Sequence, residues 1–401
     1  MLHTRLCLLL SIALPALGQD EAVRVFQPVP AAEAGFDEAG LAALDELFEE
    51  DVEAGRLVGC LALVARGDDV AYARTFGQRD REAELPMTED TIFRIYSMSK
   101  PITSVAVMML VERGKLELDA PVAEYLPEFE DVKVLEDGEE VAPEQAMTVR
   151  DLLRHTSGLT YGFFGNSPID QRYKRAGILS RQKDLDELSR KLATIPLLHQ
   201  PGTRWHYSVS TDLLGRLVEV AADQRFGDFL QEQLFAPLGM TDTSFTVPKQ
   251  EQGRLAQMYR RGGDGLVPSP PLSSWRFLFE NEFDSGGGGL CSTAGDYLRF
   301  ARMLLGEGVL DGVRVLKAET VREMTRDQLE ELPGRSRGFR FGLGVSIDRK
   351  GRYGWGCAAG TRFWVDPRNG EIGLFMVQIN PYTAGEYEGR MKRLVQQARA
   401  R

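Results

Sequence analysis

Cysteine is scarce in this chain, with four among 401 residues, and histidine is no commoner. So few thiols exclude a disulfide-stapled scaffold, and their spacing fits no zinc motif. No pair among His155, His199 and His206 has the H-x-x-x-H spacing of metal ligands, so neither a metal nor another cofactor is expected. Long apolar runs are missing too. The stretch Leu6–Leu14 falls well short of the roughly 20 residues that a bilayer span needs, and no later segment comes close. Stable membrane insertion is therefore not expected. Basic residues are in deficit, 48 against 59 acidic, for a formal charge of −11. An acidic surface argues against nucleic-acid binding and against adhesion to anionic lipid. There is no internal repeat and no low-complexity tract.

What is present is a chain that is 43% hydrophobic, enough to bury a large core. Its opening, MLHTRLCLLLSIALPALGQD, combines Arg5, an apolar stretch and the small-x-small pattern Ala16-Leu17-Gly18. This reads as a signal peptide over residues 1–18, so export to a periplasm or the medium is expected. Cys7 would leave with it. Cys60, Cys291 and Cys357 would remain, which allows at most one bridge within the chain.

Apolar side chains at Leu41, Leu44, Leu47, Phe48 and Val52 form a helical stripe. "RLVGCLALVARGDDVAYARTFG" then reads as a β-hairpin turning at residues 66–69. A helical pattern follows from Ser97 to about 113, and residues 120–280 are mostly helix and loop. Strands return at 339–348, 360–366 and 371–379, before a closing helix over 386–400. Strands at both ends imply that the hairpin pairs with the C-terminal strands. The expected fold is α+β: one antiparallel sheet of about five strands flanked by helices, with a mainly helical subdomain inserted. One domain would span 19–401, its sheet part about 19–95 plus 290–401 and its helical part about 96–289. The cleft between the two parts is the natural ligand site.

The stretch "FRIYSMSKPITS" (93–104) carries the candidate chemistry. Positions three apart share a helix face, so Ser97 meets Lys100 while Ser99 points away. A helix N-terminus favours a developing serine alkoxide, and burial would make Lys100 a usable base. By itself S-x-x-K recurs by chance in long chains, and a helix start with a solvated lysine is the plainer reading.

Companion motifs change that balance. "PGTRWHYSVSTDLLG" (201–215) supplies Tyr207. "YGWGCAAGTRFWVDP" (353–367) supplies a Gly-rich strand start. "LLRHTSGL" (152–159), "PLGMTDTSF" (237–245) and "GGGGLCSTAGDYLRFARMLL" (286–305) stand in the same order as in a known family. Together, from about residue 30 to 380, they resemble the serine β-lactamase and penicillin-binding protein superfamily, nearest to class C β-lactamases and family VIII carboxylesterases. The resemblance implies the β-lactamase/DD-peptidase-like fold, Ser97 as the acylated nucleophile, Lys100 as its partner and Tyr207 as general acid/base. It also implies an oxyanion hole from the backbone N–H groups of Ser97 and Ala358.

Two departures bear on substrate. Where β-lactamases carry Tyr-x-Asn, this chain has Tyr207-Ser208-Val209, and where they carry Lys-Thr-Gly it has Trp355-Gly356-Cys357. Val209, Trp355, Gly356 and Cys357 thus stand at substrate-binding positions without the amide arm or the cation that would hold a carboxylate. The expected activity is an acyl-enzyme hydrolase of neutral, small-molecule esters or amides, carboxylesterase-like. A D-amino-acid peptidase or amidase, or an acyltransferase of the same fold, is the alternative. A non-catalytic binder of peptidoglycan or lipid is the rival from another class, and the oligomeric state is left open.

Four further features stand beside these motifs. Ser336 in "GRSRG" matches G-x-S-x-G but lacks the strand before and helix after that a nucleophile elbow needs. Gly286–Gly289 reads as a flexible turn at the cleft rim rather than a phosphate cradle. Cys357 reads first as a small residue filling space, and second as a reactive thiol beside the acyl pocket. Phe164 and Trp275 are candidates to line that pocket.

Overall fold

Strand β1 (Gly59–Arg66) and strand β2 (Asp69–Asp80) form the anticipated hairpin, with Gly67 at φ 56° in its turn. The computed structural model describes residues 25–178, 182–263, 265–271, 283–332, 338–380 and 386–400. The segment read as a signal peptide, Trp275 and Ser336 lie outside these residues. Six more strands join the hairpin: β3 (Leu85–Pro86), β4 (Arg340–Phe341), β5 (Ser346–Ile347), β6 (Tyr353–Gly356), β7 (Arg362–Asp366) and β8 (Glu371–Met376). Their order is β4-β5-β6-β7-β8-β1-β2-β3, antiparallel throughout. The two ends of the chain therefore meet at β1 and β8, where Leu61 pairs with Met376 and Leu63 with Leu374.

Eight strands replace the five expected. Three of them, β3, β4 and β5, have only two residues each. The single strand foreseen across 339–348 is broken because the backbone turns between Gly342 and Val345, closed by a 2.8 Å hydrogen bond. Gly344 sits there at φ 90°, and a Cβ on it would lie 2.1 Å from the Ser104 hydroxyl. Such a conformation and such an approach suit glycine alone.

β1 is buried on both faces, and its period-two alternation divides the core. Leu61, Leu63 and Ala65 join the cluster that contains Ile102 and Val105 of helix α2 (Ser99–Glu112). Cys60, Ala62 and Val64 join Leu44 and Phe48 of α1 (Glu38–Glu53) and Met391 and Val395 of the closing helix. Each fully buried Leu, Ile or Phe contributes about 1.5–3 kcal/mol. α2 is buried from Ser99 through Leu110, as a helix enclosed on all sides must be. It packs against α3 (Ser210–Ala222), so the two helices carry the serine and the tyrosine segments toward each other. Cys60, Cys291 and Cys357 are all buried and all free, so no bridge forms among them. Among the described residues no helix is long and apolar enough to cross a membrane.

Candidate active site

Ser97 does not open the α-helix but lies in a 3-10 turn, Tyr96–Met98, that leads into α2. Tyr96 takes φ 40°, an uncommon conformation for a bulky side chain and one that concentrates at functional sites. The turn is tied down by the Tyr297 hydroxyl, which donates to the Met98 carbonyl at 2.9 Å. Pro101 is the third residue of α2, where its missing N–H costs no intrahelical bond. The Ser97 hydroxyl thus stands at the positive end of a buried helix.

The three anticipated residues converge. The Tyr207 hydroxyl donates to Ser97 Oγ at 2.8 Å, and Lys100 Nζ lies 3.3 Å from the same oxygen. Ser97 and Tyr207 are half-buried, whereas Lys100 is fully buried. Ser99, the competing serine, is also fully buried, and its hydroxyl accepts from the Leu290 N–H at 3.2 Å. Of the two serines, Ser97 is the one whose hydroxyl lies within reach of both Lys100 Nζ and the Tyr207 hydroxyl.

Tyr207 is positioned by the "HTSGL" segment. His155, at φ 59°, accepts the His206 N–H on its carbonyl at 2.8 Å. A run of buried hydroxyls locks the two segments together: Ser157 Oγ to Ser210 Oγ at 2.7 Å, and Ser210 Oγ to Ser208 Oγ at 2.7 Å. The His155 ring packs edge-on against Tyr207, 4.9 Å between centroids, and burial holds its pKa well below the ordinary imidazole value. A neutral imidazole whose Nδ1 faces Ser208 at 3.3 Å is a support rather than a base. His206 engages Thr160 through Nε2 at 3.1 Å, and its ring stands 5.3 Å from that of His199. No hydrogen bond joins any of the three to Ser97 among the described residues.

The surroundings of Lys100 were not legible beforehand. Its Nζ donates to the Gly287 carbonyl at 2.5 Å and lies over the rings of Tyr207 and Tyr161, 4.7 and 5.4 Å from their centroids. Residues 286–289 are buried, so the flexible rim turn expected there is instead the floor of the site. The loop is fastened by Thr103, whose hydroxyl donates to the Gly286 carbonyl at 2.8 Å, and by Asp212 on α3. Asp212 Oδ1 accepts from the Gly287 N–H at 3.1 Å and from the Ser285 hydroxyl. The available signal was a carboxylate at Asp212, between Ser210-Thr211 and the apolar Leu213-Leu214, together with four glycines at 286–289 able to wrap around it.

β6 abuts the Tyr96–Met98 turn and presents the third motif to Ser97. Trp355 is half-buried with its ring 5.6 Å from Tyr207, and Gly356 ends the strand. Ala358 is exposed, and its N–H has no acceptor among the described residues, as an oxyanion donor requires. Two substrate positions are corrected. Cys357 is turned into a core cluster with Tyr96 and Cys291, and its sulfur accepts from Thr361 Oγ1 at 2.9 Å and the Ala359 N–H at 3.2 Å. Burial pushes its thiol up, so the space-filling reading holds. Val209 is fully buried at the start of α3 and offers no surface to a ligand. In their place the site gains aromatic rings: Trp205 stacks parallel to Tyr207 at 6.1 Å, and Tyr161 lies 5.2 Å away. Phe163 and Phe164 extend this wall outward, 56% and 59% exposed.

A serine hydroxyl held between a phenol and a buried lysine, at a helix start beside an antiparallel sheet, defines a serine hydrolase that works through an acyl-enzyme. The chain belongs to the β-lactamase family, whose model matches residues 44–397. It is 37% identical over 352 residues to esterase EstB of Burkholderia gladioli, covering 82% of this chain and 86% of that one. It is 31% identical over 303 residues to monacolin J acid methylbutanoyltransferase of Aspergillus terreus, covering 72% and 71%. Among solved structures, EstCE1, described as a hydrolase with promiscuous acyltransferase activity, superposes with a TM-score of 0.75 at 27% identity, covering 90% of this chain and 99% of that one.

Proposed function

We propose that this enzyme is an exported carboxylesterase of neutral, apolar esters, with Ser97 as nucleophile and the Tyr207–Lys100 pair as its proton acceptor. The observation that carries this reading is the convergence of the Tyr207 hydroxyl and Lys100 Nζ on one oxygen, Ser97 Oγ, at 2.8 and 3.3 Å. As Ser97 Oγ bonds to the ester carbonyl carbon, its proton passes to the pair. The carbonyl oxygen gathers negative charge opposite the N–H groups of Ser97 and Ala358. Losing one such donor costs about 10²–10³ in rate. When the tetrahedral intermediate collapses, the C–O bond to the leaving alcohol breaks and Tyr207 returns the proton to that oxygen. Water, delivered by the same groups, then resolves the acyl-enzyme.

The substrate preference rests on what lines the cleft. Trp355 occupies the place of a carboxylate-binding lysine, and Tyr161, Phe164 and Trp205 surround the phenol, so the walls favour apolar groups over anions. A second alcohol in place of water would make the same site a transferase, and similarity to the monacolin J acid transferase favours testing that reaction.

Treatment with a fluorophosphonate followed by peptide mapping is expected to give one adduct, at Ser97, that is absent in Lys100→Ala. An adduct at Ser336, or none on folded enzyme, would overturn the assignment. Neutral p-nitrophenyl esters should exceed carboxylate-bearing esters and β-lactams in kcat/KM, and the reverse order would exclude the proposed substrate class. Export predicts a mature N-terminus at Gln19 when the full-length gene is expressed with a secretion pathway, and an uncleaved chain would rule it out.

A further inference from the structure

The Tyr207 ring joins two groups of aromatic side chains that make no ring contact with each other among the described residues. One runs along the sheet. Trp355 on β6 and Trp205 reach Tyr207 at 5.6 and 6.1 Å between centroids, and both meet Phe341 of β4, at 5.3 and 5.8 Å. The other is a short loop, in which Tyr161 and Phe164 stand 5.2 and 5.9 Å from Tyr207 and Phe163 packs on Phe164 at 4.4 Å. The sheet group is buried or half-buried, whereas Phe163 and Phe164 leave more than half of their surface in solvent. Single exposed apolar residues are ordinary, but an adjacent pair leading away from the ring beside the nucleophile is not.

The loop is braced so that these two rings stay outside. Thr160, fully buried, donates to Asp170 Oδ1 at 3.0 Å and accepts from the Gly162 N–H at 3.2 Å. Gly162 takes φ 80°, and a Cβ on it would stand 2.6 Å from Tyr173 Cβ. Only glycine suits that conformation and that approach. On the far side of the pair, a Cβ on Gly165 would lie 2.5 Å from Asp170 Oδ2. The backbone before and after the phenylalanines is therefore pressed against buried side chains of the helix Pro168–Ala176.

We propose that Phe163 and Phe164 form the subsite for the alcohol half of the ester, and that the alcohol they take carries an aromatic ring. This deepens the esterase reading above and rests on it. The acyl carbonyl is held by the Ala358 N–H, two residues beyond the end of β6, so the wall that contains Trp355 flanks the acyl half. The alcohol oxygen leaves within reach of the Tyr207 hydroxyl, and from Tyr207 the loop wall continues outward to Phe164 and Phe163. Phe164, anticipated at the acyl pocket, is thereby assigned to the other half of the substrate. Aromatic pairs settle edge-on or offset with centroids about 4.5–7 Å apart. A substrate ring at that spacing covers faces that the loop leaves open, and the apolar surface removed from water supplies the binding.

The test uses two isomers that carry the same ring on opposite halves, benzyl acetate on the alcohol and methyl phenylacetate on the acyl group. Both are neutral, and kcat/KM is measured for each on the full enzyme. Phe163→Ala and Phe164→Ala should each lower the ratio of benzyl acetate to methyl phenylacetate by about tenfold, as the loss of a stacking partner and its apolar face requires. A fixed ratio would overturn the assignment, because a loop that merely supports the fold lowers both rates together. A raised ratio would overturn it as well, by placing the rings at the acyl half. Should an alanine variant fail to fold, Phe163→Leu and Phe164→Leu carry the same comparison, since each keeps an apolar chain but presents no ring face. A fall in the ratio then supports the subsite and a fixed ratio refutes it. Fluorophosphonate labelling of the wild type separates the two levels. Without an adduct at Ser97 the esterase reading fails, whereas an adduct with a fixed ratio rejects only the alcohol subsite.

Discussion

Two serines two positions apart have opposite fates in this site. Ser97 sits half-buried between a phenol and a lysine, while Ser99 uses its hydroxyl to satisfy the Leu290 N–H inside the core. Ser99→Ala should therefore cost about 1–3 kcal/mol of stability, the penalty of an orphaned buried donor, yet retain fluorophosphonate labelling at Ser97. Denaturant midpoints and intact mass separate the two effects. Tyr207→Phe removes the hydroxyl from a half-buried ring that keeps its aromatic neighbours. Its expected signature is a loss of kcat by about 10²–10⁴ with little change in melting temperature. A residual rate near that of the wild type would show that the phenol is dispensable.

At the scale of elements, the loops flanking the motifs hold what the motifs leave open. The Gly286–Gly289 turn contains no reactive side chain, yet its carbonyl anchors Lys100 and its N–H binds Asp212. The third motif likewise splits between two sides of a strand end. Trp355 faces Tyr207, while Cys357 is packed against the serine turn from within the core. Because burial pushes the Cys357 thiol up and surrounds it with protein, it should resist iodoacetamide at neutral pH until the chain is unfolded. Rapid alkylation of native enzyme with loss of turnover would instead place a reactive thiol at the acyl pocket.

For the whole molecule, one buried histidine, His155, and two half-buried ones, His199 and His206, should contribute to acid sensitivity. Burial lowers His155, His199 and His206 alike, His199 to about 4. Each stays neutral in the fold but binds a proton near pH 6.5 once unfolded, so its contribution is complete above that pH and is lost as pH falls toward the folded value. Asp284 and Asp296, both raised to about 6 by burial, act in the opposite sense: their contribution is complete at low pH and is lost as pH rises through about 6. The histidine share can be isolated by substitution. His199→Gln should reduce the fall in melting temperature between pH 8 and 5 relative to wild type, as measured by calorimetry. Parallel curves would assign the acid sensitivity elsewhere.

The sequence alone determined the hairpin, the stripe of α1, the closing helix, the pairing of the chain ends and the Ser97–Lys100 face. Each follows from a period of two or 3.6 residues, or from a spacing of three, all local properties of a chain. Tyr207 was legible only through resemblance, since nothing local ties residue 207 to residue 97. Tertiary structure decided the rest. It divided one foreseen strand at Gly344, where Ser104 on α2 approaches too closely for a side chain. It buried Val209 and the Cys357 thiol, which the linear motif had placed among substrate contacts. It also brought Asp212 and Gly287, 75 residues apart in sequence, onto the same lysine. A buried charge is defined by every element that excludes water from it, and no window of sequence contains them all.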